Sequence, residues 1–96
     1  MYFITCFCAD ESKDECTDSR TFGYFADYNE CQTALRENWC DMHEFYHTYA
    51  VVEKIGKGIH PRPEKVVWFK WDDEKEGFYE TEKPEWAGNW CNFALG

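Results

Sequence analysis

The chain has little that holds phosphate. Lysine and arginine number 10 against 19 aspartates and glutamates, a formal net charge of −9. Attachment to DNA, RNA or an anionic membrane needs the opposite balance, because that affinity comes from cations that neutralise phosphates. No glycine-rich phosphate loop is present: Gly56-Lys57-Gly58 is too short for one and reads as a turn. No apolar run reaches the length of a membrane span. Residues 1–8 lack the basic start and small-residue cleavage site of a secretory leader. The chain is therefore expected to be cytoplasmic, with no membrane and no direct nucleic-acid partner. The six cysteines, Cys6, Cys8, Cys16, Cys31, Cys40 and Cys91, contain no C-x-x-C pair of the structural-zinc kind. In a reducing compartment most are expected as thiols filling small apolar spaces, although Cys6, Cys8 and Cys16 have the chemistry to contribute to a metal site. The acidic stretch 9–19 lacks the D-x-[DN]-x-[DN]-G pattern of a calcium loop.

What is abundant is aromatic. Phenylalanine, tyrosine and tryptophan make up 20% of the 96 residues, more than one small core requires, so some rings are expected at a groove or an interface. A chain of this length supports a single domain, residues 1–96. Residues 2–8 alternate and are rich in strand formers, whereas 9–19 is polar and reads as an exposed loop; residues 20–26 then read as a second strand. Asp27-Tyr28-Asn29-Glu30 has the spacing of a capping box. Cys31, Ala34, Leu35, Trp39 and Met42 recur at steps of three and four, predicting a helix over 28–42. A third strand is expected over 46–55. His60-Pro61-Arg62-Pro63 excludes regular structure. Residues 65–71, KVVWFKW, form the strongest strand signal. A hairpin loop with Gly77 in the left-handed position returns it through 78–82. The fold class expected is α+β: an antiparallel sheet of about five strands in the order ββαβββ, with one amphipathic helix packed on one face. In the fourth strand Val67, Phe69 and Trp71 share one side and Val66, Trp68 and Lys70 the other. The second face then needs its own cover, either the aromatic tail 85–96 or a second copy of the chain in a homodimer or higher homo-oligomer.

His43-Glu44-Phe45-Tyr46-His47 spells H-E-x-x-H. On a helix this pattern places two histidines on one face to hold zinc, with the glutamate as general base, and it is the basis of a zinc-dependent hydrolase alternative. Against it, no H-x-x-G-x-x-H extension supplies a third ligand, His60 being the only downstream histidine, and the strand expected from residue 46 leaves His47 outside any helix. No metal and no cofactor are expected; His43 and His47 are the zinc candidates if one is bound. Cys40 and His43 at a helix end are a Cys-His pair without an orienting group. The residues expected to bind a ligand are Arg20, Arg36 and Lys70, the cations nearest structured elements, with Trp39, Tyr49 and Trp71 as stacking rings. Together they suit a small anionic nucleotide-like ligand.

Residues 19–23 (SRTFG), 34–41 (ALRENWCD), 49–55 (YAVVEKI) and 69–72 (FKWD) resemble segments of a group of small proteins of gut anaerobes and their phages, to which no catalytic motif belongs. The resemblance spans most of the chain and implies a setting: small accessory proteins of that kind include inhibitors of bacterial immunity. The function expected is a non-catalytic, phage-type anti-defence protein that sequesters a nucleotide-like immune signal. The alternative is an acidic protein-protein inhibitor or nucleic-acid mimic that blocks a basic effector surface, and the net charge suits it better.

Overall fold

The computed structural model describes residues 1–10, 12–13, 15–44, 46–59, 61–88 and 92–94. Five strands, β1 (Tyr2–Asp10), β2 (Glu15–Phe25), β3 (Tyr49–Lys54), β4 (Lys65–Asp72) and β5 (Gly77–Thr81), pair antiparallel in the order β2-β1-β3-β4-β5. The one α-helix among the described residues, α1 (Tyr28–Arg36), lies between β2 and β3 in the chain. This is the expected ββαβββ arrangement.

Three element boundaries differ most from the sequence-based expectation, the start of β3 among them, at Tyr49 and not at residue 46. The stretch 9–19 is not a long loop: β2 begins at Glu15, so the polar run belongs to an edge strand most of whose side chains are exposed. Such a strand carries no alternating apolar signal, because neither face buries much. It is also irregular. The register with β1 shifts between Ile4 and Thr5 and again between Cys8 and Ala9, which leaves Phe22 and Thr17 as extra residues in two bulges. The helix stops at Arg36 instead of Met42, with the Glu37 amide donating to the Thr33 carbonyl at 2.9 Å. Asn38, Cys40 and Asp41 then take positive φ values of 53°, 56° and 50°, which a right-handed helix cannot contain. The chain instead makes a short 3-10 turn, Trp39–Asp41, that still delivers Met42 to the core. At the other end Asp27 caps as expected, its carboxylate accepting from the Asn29 amide at 3.0 Å.

Each face of the sheet has a core. Under α1, Ile4, Cys6, Ala50, Val52, Phe69 and Phe78 meet Cys31, Ala34 and Leu35, the three buried positions of the helix. Glu80 on β5 pins that helix from outside, accepting from Gln32 Nε2 at 2.7 Å and Tyr28 Oη at 3.5 Å and pairing with Arg36 at 3.8 Å. Gly77 permits the close approach: a Cβ there would run into the Arg36 carbonyl oxygen. The left-handed residue of this hairpin is Glu76 (φ 54°) and not Gly77, so glycine is required here for space.

The opposite face is covered by the tail. Trp86 and Ala87, in the 3-10 turn Glu85–Ala87, and Phe93 pack on Phe7, Tyr49, Val51 and Trp68. Phe7 meets Trp86 and Phe93 at 5.3 and 5.2 Å between ring centroids, and Trp68 meets them at 5.7 and 5.3 Å. Three of these four pairs are edge-to-face, a geometry that adds about 0.5–1.5 kcal/mol each beyond area burial. Glu53 of β3, fully buried beneath the tail, accepts from the Phe93 and Ala94 amides, both at 3.0 Å. Asn92 just before them has φ 57°, so successive amides converge on the carboxylate as an anion-binding nest. Burial raises the Glu53 carboxyl above the usual glutamate range, against a downward pull from the amides of Ala94, Phe93 and Asn92.

Gly77→Ala should lower stability by about 1–3 kcal/mol through overpacking against the helix end, whereas Gly23→Ala, with nothing within 4 Å of its Cβ, should be nearly neutral. Urea midpoints measure both. For Glu53 the folded chain holds its proton more tightly than the unfolded chain. Its contribution to stability is therefore greatest below the glutamate range and falls as pH rises through the raised folded value. Urea denaturation of wild type and Glu53→Gln across acid pH should show their stability difference falling with rising pH in that window; a flat difference would contradict the raised value.

Candidate functional site

At the edge where β4 ends, the segment after the 3-10 turn folds over the sheet. Residues 42–44 form a turn and 46–48 have no regular structure, so the helix on which H-E-x-x-H chemistry depends is not formed. The two histidines clasp the backbone instead. His43 Nδ1 lies 2.7 Å from the His47 carbonyl oxygen, and His47 Nδ1 lies 2.8 Å from that of Met42. The His43 ring stacks on Trp71 with centroids 3.8 Å apart and planes within 8°. Trp71 is fixed by its indole N–H, which donates to Asp73 at 2.8 Å.

This stack floors an open groove of about 740 Å³, with Asp10, Tyr46, Lys70 and Asp73 around it. Tyr46 is 82% exposed and held at φ 60°, an uncommon conformation for an aromatic residue. Asp10 accepts from the Ser12 amide at 3.0 Å and the Ser12 hydroxyl at 2.6 Å. The hydroxyl contact chiefly holds its carboxyl below the usual range. The ammonium of Lys70 stands 5.6 Å from the Tyr49 ring centroid. The groove therefore combines the stacked His43 and Trp71 rings with two carboxylates, Asp10 and Asp73, and one ammonium, Lys70, in its lining.

Of the six residues expected to bind a ligand, only Lys70 and Trp71 line this groove. Tyr49 is 8% exposed beneath Trp86, in the tail-covered core. Arg20 lies over Phe22 on β2, 5.0 Å from the ring centroid. Arg36 sits over Tyr79, 4.4 Å from its centroid, and beside Glu80. Trp39 packs on Phe25 at 6.1 Å, donates to Glu37 at 3.1 Å and borders a separate hollow of about 150 Å³ with Phe22 and Met42. Cys40 is exposed, while the ring of His43 is committed to Trp71. His60, Trp90 and Cys91 lie outside the described residues.

The sequence reading missed one cluster. Cys8, Asp18 and His47 bring a sulfur, a carboxylate oxygen and a ring nitrogen within 4.8 Å of one another. Cys8 and Asp18 are direct cross-strand partners of β1 and β2; His47 arrives from the segment ahead of β3, and its ring meets Phe22 edge-on at 5.6 Å. The signal lay in the register: had β2 been carried back to Glu15, Cys8 and Asp18 would have fallen opposite each other. Burial first, and the Asp18 charge second, raise the Cys8 thiol above its usual range, so it is not set up as a thiolate nucleophile.

Compared with known protein families, curated proteins and solved structures, the chain matches none. No helix among the described residues is long and apolar enough to cross a membrane.

The thiols separate by access. Burial pushes Cys6 up to about 12, with Cys8 adding to the rise. Burial likewise pushes Cys31 up to about 11, with the Glu30 and Asp27 charges adding, and neither residue is exposed to solvent. Iodoacetamide at mildly alkaline pH, read by peptide mass spectrometry, should modify Cys40 first among the described cysteines and reach Cys6 and Cys31 only on unfolding. Modification of Cys6 or Cys31 at the Cys40 rate would place them outside the core.

Proposed function

We propose that this chain is a non-catalytic binding protein whose groove at the Trp71 edge takes a cationic segment of a partner protein. The observation that carries this reading is the composition of the groove. The His43–Trp71 stack and the exposed Tyr46 offer aromatic faces, and Asp10 and Asp73 stand beside them. A guanidinium or ammonium over an aromatic face gains about 0.5–2 kcal/mol depending on its desolvation, and adjacent carboxylates add charge-assisted hydrogen bonds. The net charge of −9 speeds encounter with a basic surface and repels polyanions. In the phage setting suggested by the resemblance, such a protein acts as an anti-defence inhibitor, occupying an effector surface that otherwise holds nucleic acid.

The nucleotide-sequestration reading keeps one favourable observation, Lys70 beside the Trp71 ring in the same groove. It is weakened by the carboxylates there and by the engagement of Arg20 and Arg36 elsewhere. One titration separates the two. A short arginine-rich peptide and a panel of cyclic nucleotides are added to the protein at low and high salt, with binding followed by tryptophan fluorescence and calorimetry.

On the cationic-segment reading the peptide binds saturably and salt strongly weakens it, while Tyr46→Ala and the pair Asp10→Asn with Asp73→Asn each cost about 1 kcal/mol or more. Nucleotide binding lost in Lys70→Ala would replace it with sequestration. Silence toward both probes would sink the groove as the binding site.

A further inference from the structure

We infer that Cys8, Asp18 and His47 form a binding site for one divalent transition-metal ion of the zinc class, separate from the groove and independent of what the groove takes. Two consecutive strands and a segment about thirty residues further on supply the donors. β1 lies between β2 and β3 in the sheet, so Cys8 has Asp18 beside it on one flank and the approach to β3, which carries His47, on the other.

The histidine is oriented as metal-bound histidines are. With His47 Nδ1 at 2.8 Å from the Met42 carbonyl oxygen, the proton resides on Nδ1, which makes Nε2 the nitrogen that offers a lone pair. A backbone carbonyl in that place is a common outer partner of a metal-ligating imidazole. The ring is 1% exposed and braced by Phe22, so little freedom is lost when an ion binds.

The donor set selects the ion. A thiolate with an imidazole is too soft for calcium or magnesium, which want oxygen shells, and suits zinc, cobalt or copper. Three protein donors around a tetrahedral ion leave one position for water or another small ligand. Zinc at its usual bond lengths spaces its ligand atoms by about 3.5 Å. The present limit of 4.8 Å therefore needs only a contraction of about an ångström, to which Asp18, exposed on the edge strand, contributes by rotating its side chain. A Cys-His-Asp nucleophile chain is the competing reading of the same residues. It requires the thiol and the carboxylate on opposite ring nitrogens, whereas here the Met42 carbonyl occupies Nδ1 and leaves one ring nitrogen for both.

The site would tie the edge strand to the segment that carries Tyr46. Cobalt(II) is the probe, titrated into the full chain under a non-thiol reductant. One equivalent should produce a thiolate-to-cobalt charge-transfer band in the near ultraviolet and the strong visible bands of four-coordinate cobalt, and zinc should displace both. Cys8→Ser should abolish the charge-transfer band, while Cys16→Ser and Cys40→Ser retain it. Asp18→Asn, at an exposed position and with a side-chain oxygen still able to accept from the Ser19 amide, should weaken cobalt by more than about tenfold, since even outer-shell changes cost that much. Absence of a saturable band in wild type, its survival in Cys8→Ser, or unchanged affinity in Asp18→Asn would overturn the assignment.

Discussion

A buried carboxylate holds the second layer of this molecule in place. The sheet is apolar on both faces, and one helix can cover only one of them. The tail covers the other, and its irregular backbone brings unpaired amides with it. Glu53 receives those amides at 3.0 Å each, and the rings of Trp86 and Phe93 then close over Phe7 and Trp68. Hydrogen bonds and burial act on Glu53 in opposite directions: the amides favour its charged form, while the dry surroundings disfavour it and prevail. The aromatic contacts and the carboxylate therefore depend on each other, since the tail supplies the donors only when its rings are seated.

Much of the architecture was legible because it rests on periodicity. Residues 65–71 read as a two-faced strand, and β4 carries Phe69 in one core and Trp68 in the other. The helix start was legible from Asp27 and the stripe Cys31, Ala34 and Leu35. Its end was not, because left-handed backbone at Asn38, Cys40 and Asp41 leaves no mark in a pattern of apolar side chains. The beginning of β2 was hidden for a different reason. An edge strand exposed on both faces has the composition of a loop, and only its partner reveals it.

That missed boundary also hid the most chemical cluster in the chain. H-E-x-x-H drew attention to His43 and His47 as a pair acting together, whereas the fold sends one ring onto Trp71 and the other toward Cys8 and Asp18. Sequence proximity misled here because the helix assumed by the motif is absent. The ligand residues inferred from charge and aromaticity were dispersed by similar logic. Arg20, Lys70, Lys54 and Lys65 each lie against a separate ring, and Arg36 and Lys75 share the ring of Tyr79. Cations laid on aromatic faces stabilise local packing. They leave the many surface carboxylates to set the field that a partner meets at a distance.

The two bulges in β2 reach beyond the metal donors they help to place. An outer strand offers unpaired amides and carbonyls to any passing extended chain, the first step in fibre growth. Here the ladder is dislocated at Phe22 and again at Thr17, so an incoming strand cannot keep step along the whole edge. Acidic side chains at Glu15 and Asp18 stand in the same row and repel another copy of themselves. Self-templated polymerisation through this edge is thereby frustrated twice, by geometry and by charge, which lets a long, exposed strand persist in a chain so rich in aromatic residues.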